Sequence, residues 1–197
     1  MNAKFLLSSA LALGLGISGM GLSSEAQAAD YMIDTNGAHA SINFKVSHLG
    51  YSFILGRFDT FTGSFQYDES NPTASSVKVE IDTSSVNTNH GARDNHLRGE
   101  DFLSVEDFPK ASFVSKSAKS AANGGLTLEG ELTLRGVTKP VTLAIDHIGG
   151  GDDPWGGHRQ GFTGTTTIAM KDFGIPTNLG PAAQNVELTM VVEGIRQ

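Results

Sequence analysis

From Ser41 onward the chain alternates between apolar and polar residues. Ile42, Phe44, Val46 and His48 fall on one face of a two-residue period, with Ser41, Asn43, Lys45 and Ser47 on the other. That period predicts a strand with one wet face. Val77, Val79 and Ile81 repeat the pattern against Lys78, Glu80 and Asp82, and Val186, Leu188, Met190 and Val192 do so near the C-terminus. Leu126, Leu128, Leu132 and Leu134 share a face, as do Val141, Leu143 and Ile145, and then Phe162, Ile168 and Met170. Phe113 follows a break at Phe108-Pro109. The segment Phe53 to Tyr67 carries Phe58, Phe61, Phe65 and Tyr67, and the odd step from Phe58 to Phe61 predicts a bulge or a strand break.

Turn signals separate these runs: Asn71-Pro72, Asn123-Gly124-Gly125, the tight connection Arg135 to Pro140, and a loop from Phe173 to Gln184 with two prolines. Gly149 to Gly157 is expected to be a Gly-rich loop holding the only tryptophan, Trp155. The total is about eight sequential strands with no helix long enough for a crossover, so the sheet is antiparallel and forms a barrel or a sandwich. Gly63, Gly130 and Gly164 stand mid-strand on apolar faces. Such glycines mark either bends that help close a barrel or gaps that belong to an internal cavity for a ligand; both readings favour a barrel.

The alternation stops between Thr88 and Leu103, where charges and two histidines cluster. A short helix near residues 89–101 is expected there, capped by Thr88 or Asn89, supported by Asp94 and Arg98 four residues apart, and ended by Gly99. Two readings stand side by side. Arg93, Asp94, Arg98, Glu100 and Asp101 pair with one another and with strand ends, fixing a cap over the barrel. Alternatively, Arg93 and Arg98 face the barrel mouth and grip a polar or anionic head group by forked hydrogen bonds.

The N-terminus changes the expected address. Lys4, the apolar stretch Phe5 to Met20 and Ala26-Gln27-Ala28 read as a signal peptide, 1–28, cleaved to leave a single domain over 29–197. The G-x-G-x-x-G match at Gly14–Gly19 falls inside it and lacks the strand and helix that motif needs. With no cysteine in the chain there is no disulfide framework, thiolate nucleophile or thiolate metal site. The charge is −7, and losing Lys4 and Glu25 leaves 13 basic against 20 acidic residues, again −7, which argues against nucleic acid or an anionic membrane as a general surface partner.

Candidate chemistry is sparse. No G-x-S-x-G elbow follows residue 28, and Asp172-Phe173-Gly174 has none of the other parts of a kinase site. His90 and His96 have poor chelating spacing, and His48 reads as a hydrogen-bonded structural imidazole at a strand end, so no metal site is expected.

Several segments together resemble one family. They are His48-Leu49-Gly50, Gly56-Arg57-Phe58, the insert from Asn89 through Arg93-Asp94, His96-Leu97-Arg98, Asp101-Phe102-Leu103 and Phe108-Pro109. Leu132 to Val141, Asp153-Pro154-Trp155-Gly156, Arg159 and Gly161-Phe162 complete the set. The chain is similar to the YceI-like, polyisoprenoid-binding proteins of the bacterial periplasm. That resemblance implies an all-β, lipocalin-like antiparallel eight-stranded barrel whose elongated apolar tunnel carries an isoprenoid lipid, a polyprenyl or an isoprenoid quinone. It implies no catalytic residues and no cofactor beyond that lipid. Gly99 and Ser104, and the segment Ala169-Met170-Lys171, depart from the family pattern at the rim.

The expected lining is Phe44, Val46, Phe58, Phe65, Val79, Ile81, Phe113, Leu132, Leu143, Phe162, Ile168 and Leu188, with Phe102, Leu103 and Trp155 closing the ends. A rival reading makes the barrel mouth an enzyme site, with His96, Asp94 and Arg93 performing acid–base work on a lipid head; a third makes the barrel a filled interaction module. Transient contact with a membrane or membrane protein, and a homodimer, stay open at this level.

Overall fold

The eleven strands among the described residues make the eight staves of a simple meander, three of the staves broken in two. The structure is a computed structural model and describes residues 28–197, so the expected signal peptide, apart from Ala28, lies outside the described residues. In chain order the strands are β1 (Ala29–Ile33), β2 (Ser41–His48), β3 (Ser52–Phe58), β4 (Phe61–Tyr67), β5 (Ser76–Asp82), β6 (Val86–Asn87), β7 (Lys110–Ser120), β8 (Leu126–Leu134), β9 (Val137–Asp152), β10 (His158–Ala169) and β11 (Asn185–Arg196). β11 pairs along one edge with both β2 and β1, Val186 opposite Val46 and Arg196 opposite Tyr31. β3 with β4, and β5 with β6, are likewise halves of one interrupted stave. Eight antiparallel staves therefore close through the β1–β11 pairing into a barrel. Closure removes the two end edges of an open sheet, while β3 keeps an edge that β6 covers only at Arg57 and Phe58.

Local sequence explains the breaks and turns. The step from Phe58 to Phe61 is the gap at Asp59–Thr60 that splits β3 from β4. Arg135 and Gly136 join β8 to β9 with φ of 50° and 71°, the left-handed pair that a two-residue hairpin requires. The Gly-rich stretch is a correction: Gly149, Gly150 and Gly151 are not loop but β9, paired with Gly161, Gln160 and Arg159. The buried Gln160 side chain lies over Gly150, filling the space a side chain there would occupy. Only Asp153–Gly157 turns, and there the Asp153 carboxylate accepts from the Trp155 and Gly157 amides at 2.9 and 2.8 Å.

The single α-helix among the described residues, α1 (Gly91–Arg98), sits where the polar insert was expected. Its cap is neither Thr88 nor Asn89: His90 Nδ1 accepts from the Arg93 amide at 3.2 Å. Nor does Asp94 pair with Arg98. Its buried carboxylate accepts from the Thr88 amide and hydroxyl at 2.8 and 2.5 Å. Burial pushes its pKa up, but those hydrogen bonds, with the nearby Arg98 and Arg93 charges, hold it below the usual carboxylate range. His48 is exposed at the end of β2, where a hydrogen-bonded structural imidazole was expected.

The core is a lining, not a plug. One buried cluster, with Tyr31, Phe65 and Tyr67, gathers where β1 and β4 meet; the other, with Phe113, Leu128, Leu132 and Ile168, runs along β7, β8 and β10. At one end Tyr31 stacks on Phe65 at 4.9 Å, and Phe162 meets Phe65 and Tyr67 edge-on at 5.4 and 5.0 Å. These rings form a floor. Burial, with the nearby Glu69, Tyr31 and Asp68, raises the pKa of the Tyr67 phenol, keeping it neutral. The mid-strand glycines explain why the middle stays open. The Phe113 ring lies across Gly130, Phe44 across Gly56 and Phe65 across Gly194, so each ring follows the wall.

Candidate functional site

Above the aromatic floor lie two chambers. The floor chamber is lined by all eight staves of the barrel, with apolar groups except at Gln66, Ser75, Ser76, Thr163 and Thr166. The mouth chamber is lined only by apolar residues. Ile42, Ile81, Leu132 and Leu188 line both, so the chambers meet at a waist of four aliphatic side chains. The period-two alternation builds this bore: each stave turns every second side chain inward, and the inward set is apolar.

The structure brings fourteen of the fifteen expected lining residues onto this lumen. Phe65, Val79, Phe113, Leu143 and Phe162 face the floor chamber; Phe44, Val46, Phe58, Phe102, Leu103 and Ile168 face the mouth; Ile81, Leu132 and Leu188 belong to the waist. Trp155 is the exception. It is 79% exposed on the Asp153–Gly157 turn, with the Arg159 guanidinium 5.5 Å from its ring centre, and closes neither chamber. Its turn is folded outward by the Asp153 hydrogen bonds, so the indole has no route to the bore. Ile42, Val86, Leu97, Met170, Ile175 and Leu179 also line the mouth chamber, although sequence reasoning did not assign them there. Alternation had marked Ile42 as inward; Leu97 and the loop residues carry no periodic signal.

Neither Arg93 nor Arg98 lines the lumen. Arg93 donates from Nε to the Thr88 hydroxyl and from Nη2 to the Thr88 carbonyl, at 2.7 and 2.9 Å. Arg98 donates to the Ser84 and Val86 carbonyls and to Asn95 Oδ1, at 2.7, 3.0 and 3.0 Å. Both forks are spent on protein oxygens, chiefly the Thr88, Ser84 and Val86 carbonyls of the segment before α1, fastening the helix beside the mouth and holding Leu97, Phe102 and Leu103 over the chamber. The residues of the rival acid–base reading do not converge: Asp94 is held by Thr88, Arg93 by the same residue, and the exposed His96 lies 3.5 Å from Asp101 and edge-on to Phe102.

Arg135 stitches the rest of the rim. It donates to the Gly174 and Glu100 carbonyls at 2.7 and 2.8 Å, and Thr177 donates to the Asp101 carbonyl at 2.7 Å. Toward the opposite end, Asp34 is the centre of an ion cluster. Its carboxylate accepts from His39 Nδ1, Arg159 Nη1 and the Gly37 amide at 2.9, 2.9 and 2.7 Å. These hydrogen bonds, His39 first and then Arg159 and Gly37, lower its pKa to about 2. Asp34, His39 and Glu193 are the one set of groups among the described residues spaced to share a metal ion. Arg159 Nη1 already bridges Asp34 and Glu193, at 2.9 and 2.5 Å, and supplies the positive charge there.

The model of the YceI-like domain matches residues 31–194 of this chain. A UPF0312 protein of Shewanella sp. (strain W3-18-1) is 59% identical over 172 residues, which is 87% of this chain and 90% of the relative. Among solved structures, the YCEI protein of Campylobacter jejuni superposes with a TM-score of 0.69 at 27% identity, over 78% of this chain and 91% of that one. A polyisoprenoid binding domain from Saccharophagus degradans, implicated in plant cell wall breakdown, shares the fold with a TM-score of 0.61 at 16% identity, over 85% of this chain and 98% of that one.

Proposed function

Because the chain belongs to the YceI-like family, we propose that its barrel is a carrier for a long isoprenoid lipid, a polyprenyl compound or an isoprenoid quinone, threaded from the mouth chamber through the waist to the aromatic floor. One observation carries the proposal: two apolar chambers share a waist of four aliphatic residues, so one apolar lining continues from chamber to chamber. The shape suits an extended hydrocarbon and not a compact polar substrate. Sequestering a methylene group from water is worth about 0.8 kcal/mol. Association costs at least about 4 kcal/mol, so several buried tail carbons suffice and the head group contributes second.

The arrangement of the rim supports a carrier over an enzyme of lipid heads, since Asp94, Arg93 and Arg98 all hold protein groups. The lipid is the sole small-molecule partner in this reading, and no cofactor or metal is needed. The signal-like N-terminus supports action in the periplasm, where a greasy chain needs cover to cross water. The test is to purify the protein without detergent, extract it with organic solvent and identify the extract by mass spectrometry. An isoprenoid lipid in stoichiometric amount is expected. A clean extract, with no uptake of added prenyl lipid, overturns the carrier.

A further inference from the structure

Among the described residues, five of the ten exposed large apolar side chains gather at one corner of the barrel: Leu49, Tyr51, Phe53 and Leu55 on the β2–β3 hairpin, and Leu179 on the loop beside it. Tyr51 is 87% exposed and the other three hairpin residues 61–66%. Elsewhere such residues are scattered singly, as is normal for a soluble surface; a cluster marks a contact. The corner also adjoins the mouth. Leu179 is at once exposed and part of the mouth chamber's lining, and Gly50 at the hairpin tip approaches Ala182 three residues further along that loop.

Charge distinguishes the corner from the rest of an acidic molecule. No Asp or Glu occurs from Thr35 to Phe58, although the chain as a whole carries −7. The two strong cations of that stretch are paired, Lys45 with Glu187 at 2.7 Å and Arg57 with Asp59 at 2.6 Å, and the Lys45 ammonium also sits 4.7 Å from the Phe53 ring centre. The tip from Leu49 to Leu55 is thus apolar, aromatic and free of formal charge. Aromatic and aliphatic side chains flanked by a lysine whose stem lies along them suit the boundary between lipid head groups and acyl chains. Five side chains of roughly 150 Å² each, 40–87% exposed, offer on the order of 500 Å².

We propose that the β2–β3 hairpin, with Leu179, docks the barrel mouth onto a lipid bilayer, so that ligand passes between membrane and lumen without crossing water. The proposal rests on the carrier reading and adds to it the partner and the side of the barrel that meets it. Because the tip is uncharged, docking depends on apolar insertion and not on anionic lipid. Phosphatidylcholine vesicles should therefore bind the protein, and adding phosphatidylglycerol or salt should change the bound fraction little.

The experiment is vesicle flotation of the full protein, run beside a prenyl-alcohol titration in detergent that reads the lumen alone. The variant Leu49→Ser/Tyr51→Ser/Phe53→Ser should lose about tenfold or more in vesicle partitioning while keeping its affinity in the detergent titration. The variant Ile148→Ser/Trp155→Ser, with two exposed residues remote from the hairpin, should leave both unchanged. No flotation of the unaltered protein, or equal flotation of the hairpin variant, overturns the docking while a positive titration keeps the carrier. Sedimentation reads the remaining occupant. The β3 edge pairs with β6 only at Arg57 and Phe58. A dimer that the hairpin variant dissolves, in a protein that ignores vesicles, assigns the corner to a second copy and overturns the proposal.

Discussion

The Phe113 ring lies across Gly130 on the adjoining strand, in the space that a Cβ at 130 would need. The contact couples wall and bore: the ring can follow the wall only because its neighbour lacks a side chain. Gly130→Val should therefore push the ring inward. It should cost about 1–3 kcal/mol of stability and reduce the length of prenyl chain accepted. Denaturant melts and a chain-length titration check both effects. Unchanged stability and capacity would mean that the ring moves elsewhere at no cost.

The waist makes a second prediction. Leu188 lines both chambers, so Leu188→Trp should fill the passage between them. Short prenyl alcohols should still bind the mouth chamber. The gain from each further unit should vanish, a loss of about fourfold for every methylene kept out of the floor chamber. If long chains bind the variant as well as the parent, the chambers are not one tunnel.

Arg98 fastens α1 through the Ser84 and Val86 carbonyls. Arg98→Ala should release them, at about 1–3 kcal/mol, and raise amide hydrogen exchange across α1 and the segment before it. Affinity for a neutral prenyl alcohol and for its phosphate should change equally. A loss confined to the phosphate would restore the head-group role that the sequence allowed.

The Asp34 cluster sets an acid limit. Its folded pKa of about 2 lies below the unfolded value of about 3.9. The stabilisation it gives is complete above that unfolded value and is lost as pH falls through the folded one. Unfolding free energy measured against pH should fall through that window, and Asp34→Asn, less stable at neutral pH, should show a shallower fall there. Parallel curves for the two proteins would assign the acid sensitivity to other carboxylates.

What could be read from the chain follows from where its information lies. Period two is written in every stave, so Phe44, Val79, Leu132 and Leu188 were visibly inward, and the gap between Phe58 and Phe61 was visibly a break. Trp155 misled because an aromatic in a Gly-rich turn looks like a lid, whereas the hydrogen bonds of Asp153 fold that turn outward. Arg98 misled because backbone carbonyls, its actual partners, have no sequence signature. Leu97 and Leu179 went unassigned for a third reason: they reach the lumen from α1 and a loop, where strand alternation says nothing.

Affinity against chain length, measured by titrating the delipidated protein with prenyl alcohols of increasing length, tests the central claim most directly. A filling tunnel predicts affinity that climbs with each isoprenoid unit and levels off when the tail reaches the floor of Tyr67 and Phe162. Affinity that stays flat from the shortest chain to the longest would contradict it.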